Sequence, residues 1–401
     1  MKFSISHNHR TWDASQDEAV IASVIEESLE ADAAGFAGIF FPEHHFQGYS
    51  PTGADAFQMM AYLAPQLKQA WLGTAVCTLP NHHPTHLVEK MNMLDQLARG
   101  KVLFGLGSGL HVTESLGFGL DYEYQISRMM NDNLEVAERL WAKAPEDPPV
   151  TFETPMYKGT VLERIVPAPY RKARPRLMGV AMRDASIERA GKNGWPAWVS
   201  GMQGWDGLRK YRETLAGAGH PQEVVEYCME WTSDVFQGIF IADTDEEAKA
   251  DMLRTMDGHE KFNQRQWPYI RAAEEMLGLA GGAVRQRPPA NDERYYNWAC
   301  LWGSPDTVSR RIQAYADVGL GNLLLGFNNG LFDDDRRAVT RKTMDLFVRE
   351  VMPRFVDIPT PKDPLAIDLH GKSASSLPIL SLKDEITTRD DLARKIKTEA
   401  H

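Results

Sequence analysis

The sequence predicts an α/β fold: a (β/α)8 TIM barrel with an insertion before the last strand and a C-terminal tail. Three observations lead there. Short β-rich runs alternate with amphipathic helical runs from the first residues onward. Four strand-then-helix rounds fit into about the first third of the chain, a rhythm that builds a parallel sheet with right-handed crossovers. An open doubly wound sheet would want GxGxxG at the start of its first helix, and the chain has none there.

Lys2–His7 reads as the first strand. Ala19–Ala33 follows as a helix, with an apolar stripe of Val20, Ala22, Val24, Ile25 and Leu29, and Gly35 stops it. Gly38–Phe41 (GIFF) is a short buried strand that Pro42 breaks. A helix near Ala54–Leu67 leads to the strand Trp71–Thr78, and Pro84–Leu97 is helical. Val102–Leu106 is the fourth strand, closed by Gly105-Leu106-Gly107-Ser108-Gly109. Ile126–Trp141 reads as a helix and Pro145–Pro175 as an irregular proline-rich stretch. Leu177–Ala181 is the fifth strand, Ser186–Lys192 its helix, Ala197–Ser200 the sixth strand and Phe236–Ala242 the seventh. Val308–Asp317 is helical, Asn322–Gly326 (NLLLG) is the eighth strand, and Arg336–Phe347 closes with a helix. Residues 1–356 thus read as the barrel, with Met252–Asn297 too long for a simple loop and taken as an insertion. Residues 357–401, rich in Pro, Lys and Asp, have no obvious place in the barrel and read as an extension, partly disordered or wrapped on a partner.

Composition narrows the function classes. With 44 Lys+Arg against 55 Asp+Glu, the formal charge is −11, and no basic cluster argues for a nucleic-acid partner. A hydrophobic content of 43% in 401 residues supplies a large core without staples. The three cysteines, Cys77, Cys228 and Cys300, form neither a CxxC motif nor a disulfide framework, which fits a reducing cytosol. Polar residues interrupt the opening MKFSISHNHRTW before the apolar core of a signal peptide forms. No stretch approaches the roughly 20 apolar residues of a bilayer crossing. The expectation is a soluble, acidic, cytoplasmic protein with neither a nucleic-acid nor a membrane partner.

In such a barrel, function sits at the C-terminal ends of the strands. Those ends read His7-Asn8-His9, Pro42-Glu43-His44-His45, Thr78-Leu79-Pro80, Gly107-Ser108-Gly109, Met182-Arg183-Asp184, Gly201-Met202, Asp243-Thr244 and Phe327-Asn328-Asn329. Histidine suits both proton transfer near neutral pH and metal ligation. A barrel metal site needs ligands on later strands as well, and those ends offer no histidine, so no catalytic metal is expected. His82, His83 and His86 flank Pro84, where capping or packing suits them better than ligation. Two readings stand for His44-His45: both are satisfied loop histidines, or one faces the mouth while the other packs. The neighbouring ends lack charged groups, so the mouth suits a planar, largely apolar ligand with one basic group poised over it.

Glycines such as Gly105–Gly109 often merely close a strand-to-helix turn. Asp184-Ala185-Ser186 opens a helix directly after a strand end. Its N–H groups and the Ser186 hydroxyl could hold a phosphate, or Asp184 or Ser186 could serve as a plain cap. Together these features suggest a phosphorylated planar cofactor lying across the mouth. Met182, Trp198, Met202, Trp205, Trp302 and Phe327 lie near strand ends, either walling an apolar pocket or packing the core.

At this point several stretches resemble the bacterial luciferase-like flavin monooxygenases: Phe41–Phe46 (FPEHHF), Leu72–Pro84 (LGTAVCTLPNHHP), Leu94–Gly100 (LDQLARG) and Phe104–Leu110 (FGLGSGL). Val180–Gly194, Ala242–Ala248 (ADTDEEA), Gly303–Asp306 (GSPD) and Val351-Met352-Pro353 extend the resemblance, colinear to about Phe355. It implies a barrel that binds reduced FMN and activates O2 as a flavin C4a-hydroperoxide. It puts His44 on the family's catalytic histidine, and Thr74-Ala75 where the family carries a cis, non-proline peptide against the flavin. Ser186 falls on a hydroxyl residue of the family's phosphate cradle, with Ala185 supplying backbone N–H nearby. The implied cofactor-binding set is Glu43, Thr74, Ala75, Gly107, Ser108, Met182, Arg183, Ala185 and Ser186. The luciferases' arginine after the fourth strand is Ser108 here, and their reactive cysteine before it is Gly107. Arg183 is expected to restore the lost charge from the opposite lip.

Three functions are then weighed. A two-component monooxygenase would take reduced FMN from a separate reductase, since no second flavin or nicotinamide domain is visible, and oxygenate a small, apolar organic substrate with O2. A deazaflavin-dependent dehydrogenase of the same fold would transfer hydride without oxygen, but the EHH and LP-x-x-HP patterns fit the luciferases better. A non-catalytic flavin-binding subunit of a heterodimer would not need His44. The helices Ala54–Leu67 and Pro84–Leu97 carry an apolar surplus, including Phe57, Met59, Met60, Met91 and Met93. With the resemblance, that surplus predicts a homodimer. The Met252–Asn297 insertion is expected to close over the mouth.

Overall fold

Eight parallel strands close into a ring in chain order: β1 (Lys2–Ser6), β2 (Gly38–Phe41), β3 (Trp71–Thr78), β4 (Val102–Gly107), β5 (Arg176–Ala181), β6 (Ala197–Val199), β7 (Ser233–Phe236) and β8 (Asn322–Leu325). β8 pairs back onto β1 with Phe3 opposite Leu323, so the barrel has no free edge. The computed structural model describes residues 1–46, 51–181, 184–199, 204–279, 289–328, 330–370, 378–380 and 386–388. Among these, no helix is long and apolar enough to cross a membrane.

Closure commits alternate residues of each strand inward and outward. Phe40, Leu103, Met178, Trp198 and Leu324 fill the interior as one cluster. Phe3, Ile39, Phe41, Val102, Phe104 and Leu323 join the larger core beneath the helices. A polar layer crosses the interior where Ser4 donates to Asn322 (3.0 Å), which donates to Ser233 (2.8 Å). At the N-terminal end, the rings of Trp71 and Trp231 pack at a 40° tilt with centres 4.8 Å apart, and the Arg176 guanidinium lies 4.5 Å over Trp71 and 4.4 Å over Tyr227.

The helices follow from local signals. α1 (Asp17–Ala34) stops at Gly35, whose φ of 95° is the left-handed conformation that glycine adopts at no steric cost. α2 (Ala56–Leu63) starts where the Asp55 carboxylate accepts from the Gln58 N–H, and is shorter than expected. α3 (Pro84–Leu97) has the expected bounds. α4 (Val112–Phe118) follows β4 and was not anticipated; α5 (Met130–Ala142) and α6 (Asp184–Lys192) come next. α7 (Gly204–Gly217) and α8 (Gln222–Trp231) both lie between β6 and β7. α9 (Asp245–Met276) is one 32-residue helix, and α10 (Glu293–Ala299) precedes α11 (Pro305–Asp317) and α12 (Asp334–Leu346).

Several expectations are corrected. The seventh barrel strand is Ser233–Phe236, not Phe236–Ala242. Its start is polar because Ser233 belongs to the interior polar layer, which hides the usual apolar signal. The expected residues instead contribute Gly238–Ile241, which pairs in parallel with Cys300–Gly303 outside the ring. The proline-rich stretch carries an antiparallel hairpin, Val150–Glu153 with Lys158–Val161. The first part of the tail does have a place on the barrel: Ile358, Ile367 and Leu369 pack against the main core. Phe57, Met60 and Met91 are spent in that same core, so the exposed apolar groups on α2 and α3 are Tyr62, Met93 and Leu97.

The histidines after β1 are committed to the barrel wall. His7 Nε2 lies 2.9 Å from Ser28 Oγ and its Nδ1 2.8 Å from Asn328 Nδ2, while His9 Nε2 lies 3.2 Å from Glu27 Oε1. Ser23 and Asn328 also donate to Glu27, at 2.9 and 2.6 Å. Burial alone would raise the Glu27 carboxyl, but the charge of His9 and the hydrogen bonds of His7 and His9 outweigh it and hold it well below the usual range. A carboxyl depressed in the folded state stabilises the fold above its unfolded pKa of about 4.3, and that stability fades as pH falls through the folded value. Glu27→Gln should therefore lose about 2 kcal/mol at neutral pH and show a flatter decline in acid than wild type. Urea titrations at neutral and acid pH read both; equal acid slopes would refute the assignment.

Candidate active site

The turn after β2 is built around two buried carboxylates. Pro42 ends the strand, and the following residues are held by hydrogen bonds from outside it. The His44 N–H donates to the Gly53 carbonyl at 3.1 Å. The His45 N–H donates to Glu114 Oε1 at 3.1 Å, and His44 Nδ1 reaches the same oxygen at 3.0 Å. Burial alone would raise the Glu114 carboxyl, but the hydrogen bond and charge of His44 outweigh it and keep it below the usual range. An ionised Glu114 accepts only, so the Nδ1–H of His44 donates and its Nε2 keeps the lone pair. His111 packs edge-on against His44, with ring centres 4.8 Å apart.

Glu43 turns to other partners. It is buried, and accepts from the Thr78 N–H at 2.9 Å. Its Oε1 lies 3.1 Å from His45 Nε2 and 2.9 Å from His82 Nε2. Burial opposes ionisation there, but the hydrogen bonds of His45 and His82 outweigh it and hold the carboxyl far below its ordinary range. With His45, His82, Asp55 and Lys90, Glu43 lines a cavity of about 280 Å³ beside α2 and α3. The two adjacent histidines take different partners: His45 packs on Glu43 and Phe118, while His44 stands with His111 and Glu114.

The flat side of the mouth lies between β3 and β4. Thr74 remains in the regular ladder opposite Phe104, and its hydroxyl donates to the Gly105 carbonyl at 3.0 Å. The pairing slips between Thr74 and Cys77, and the cis peptide lies inside that slip, at Ala75–Val76. It is one residue later than the expected Thr74-Ala75, because Thr74 is fixed by the ladder. A Cβ on Gly107 would meet Val76 Cγ2 at 2.4 Å, so glycine is required there. Ala75, Val76, Val180 and Val235 are half-buried around the interior cluster.

On the neighbouring lip, Ser108 is half-buried and its carbonyl accepts from Gln125 at 3.2 Å. Ala185 is exposed and Ser186 half-buried on the first turn of α6. Arg189, one turn on, is half-buried and donates to Asn131; among the described residues it meets no carboxylate. Met182, Arg183, Met202 and Asn329 lie outside the described residues. Of the other suggested pocket residues, only Trp198 is in the barrel interior. Trp205, on α7, and Phe327, past the end of β8, belong to the outer core, and Trp302, on the strand pair outside the ring, donates to Asn297. Glu114 and His111 were missed. Their spacing of three at the start of an unrecognised helix, which places both on one face, was the available signal.

A closed parallel barrel that gathers histidines and buried carboxylates at its strand ends has the architecture of a barrel enzyme, and the family match supplies the reaction class. Residues 1–321 match the family model of the luciferase-like monooxygenases, and the chain belongs to that family of flavin-dependent oxidoreductases. It is 24% identical over 357 residues to the alkanal monooxygenase alpha chain of Photorhabdus luminescens, covering 80% of this chain and 88% of that one. To the 2,5-diketocamphane 1,2-monooxygenase 1 of Pseudomonas putida it is 22% identical, covering 80% and 90%. A 35% match to a Sinorhizobium fredii protein spans 105 residues, 30% of that protein's length. Among solved structures, monooxygenase RslO1 from Streptomyces bottropensis superposes with a TM-score of 0.70 at 19% identity, covering 88% of this chain and all of that one. The oxygenating constituent of 3,6-diketocamphane monooxygenase from Pseudomonas putida, in complex with FMN, gives 0.66 at 20% identity, covering 90% and 100%. A coenzyme F420-dependent tetrahydromethanopterin reductase from Methanopyrus kandleri gives 0.58 at 16% identity, covering 88% of this chain and 99% of that one, and shares the barrel fold.

Proposed function

We propose that this chain is the oxygenating component of a two-component monooxygenase. In this reading it takes reduced FMN from a separate reductase and uses O2 to oxygenate a small, apolar organic molecule. The observation that carries the reading is the His44 imidazole just past the end of β2, oriented through Nδ1 by the buried Glu114 carboxylate. The residues suit the cofactor. Ala75, Val76, Val180 and Val235 offer a flat apolar bed, and Ser108 and Ser186 offer hydroxyls on adjacent strand ends. Arg189 offers a guanidinium that, among the described residues, meets no carboxylate, on the same face of α6 as Ser186. Reduced flavin, when bound, supplies the electrons that activate oxygen. This chain's own residues then do three things: Ser186 and Arg189 anchor the phosphate, the apolar bed keeps water from the ring, and His44 takes or returns one proton at Nε2.

The deciding experiment is anaerobic titration with reduced FMN, followed by rapid mixing with oxygen while flavin absorbance is recorded. His44→Ala should bind reduced FMN within a few-fold of wild type but turn over about 10²–10⁴-fold more slowly. Wild-type turnover in that variant, or hydride transfer with a deazaflavin and no oxygen uptake, would sink the reading.

Phosphate recognition makes a separate expectation. Arg189→Ala should weaken FMN binding roughly tenfold, the worth of one charge-assisted contact, and leave riboflavin binding unchanged. Fluorescence quenching titrations with both ligands read this directly; equal losses would show that Arg189 shapes the pocket rather than meeting a phosphate.

The homodimer is proposed through α2 and α3, where Tyr62, Met93 and Leu97 are 56%, 50% and 49% exposed. Light scattering at micromolar concentration should give twice the chain mass, and a monomer would remove the idea.

A further inference from the structure

We infer that His44, His111 and Glu114 form a binding site for a divalent cation of borderline softness, with Zn2+ the representative ligand. One donor atom from each residue lies within 4.8 Å of the others. Two imidazoles and a carboxylate are a donor set that such cations select. In a tetrahedral zinc site, donors stand about 3.3 Å apart, a consequence of metal–ligand bonds near 2.0–2.1 Å. His44 Nδ1 and Glu114 Oε1 are already 3.0 Å apart. His111 precedes α4 directly and Glu114 sits in its first turn, so a rigid helix start presents two of the three ligands. Glu114 is buried while both histidines are half-buried, so the carboxylate lies inward and the two imidazoles toward the partly exposed side.

A second trio, Glu43, Cys77 and His82, has similar spacing but is less suited. Both Glu43 oxygens are already engaged, by the Thr78 N–H on one side and His45 and His82 on the other. Cys77 is wholly buried. The first trio is therefore the site.

Occupancy has a chemical consequence. A cation on His44 Nδ1 replaces the proton shared with Glu114, and the imidazole then carries its proton on Nε2. A ring in that state cannot accept a proton from a reactant, so cation binding and turnover exclude one another. The inhibitory part of this inference rests on His44 being the proton acceptor; the binding part does not.

The test uses the full chain without flavin, titrated with Zn2+ by calorimetry against a competing chelator, and with Co2+ by visible absorption. Wild type should bind one equivalent, and Co2+ should develop ligand-field bands. His111→Asn should weaken Zn2+ roughly tenfold or more and abolish those bands. Asparagine is a favoured residue ahead of a helix, so α4 keeps its start, and circular dichroism checks it. His82→Ala should bind Zn2+ as wild type does. Unchanged affinity in His111→Asn, no uptake by wild type at tens of micromolar, or loss confined to His82→Ala would each overturn the site. Zn2+ that binds as expected yet leaves turnover unaltered would leave the site standing and overturn the role of His44 instead.

Discussion

Barrel closure is the constraint on which everything else depends. Once β8 pairs with β1, no strand can twist to re-aim a side chain, and each residue is committed to the inside or the outside by its parity. His7 falls on the outward parity and is drawn into the wall with Glu27, Ser28 and Asn328. Only past the last ladder residue is that rule relaxed. The turn after Phe41 escapes it, and adjacent histidines there can serve different ends.

That freedom has to be restrained again, and the two carboxylates do so. Glu43 ties the turn to β3 through Thr78 and to the start of α3 through His82, whereas Glu114 ties it to α4. Burying a carboxylate costs several kcal/mol unless donors satisfy it, and here backbone N–H groups and imidazoles meet both. The same bonds that satisfy Glu114 select the His44 tautomer. Stability and the choice of tautomer therefore rest on one set of contacts rather than two in competition.

Much of the fold was legible in the sequence because strand and helix alternation is a local signal. GIFF, Trp71–Thr78 and NLLLG carry that signal undiluted. It failed where tertiary demands override local pattern. Ser233 opens β7 because a polar layer inside the barrel needs a hydroxyl opposite Asn322, and no window of neighbouring residues encodes that need. In the candidate site, His44 was legible from its place after a strand-ending proline. Glu114 was not, because its meaning comes from a contact across 70 residues of chain. The slip at Ala75–Val76 escaped a one-residue placement for a related reason: the ladder with β4, not the β3 sequence, decides where regular pairing stops.

The plug of Arg176, Trp71, Tyr227 and Trp231 gives the barrel the character of a vessel with a stopped floor. A guanidinium clasped between two rings is both a filler and a charge, and it fills the N-terminal end of the axis. Traffic across that floor is barred, so arrivals and departures share the opposite end. Whatever enters first stands between the floor and every later arrival, and product must leave before that first guest can be replaced. The order in which ligands come and go is thereby a property of the closed end of the barrel, written at residues far from the chemistry.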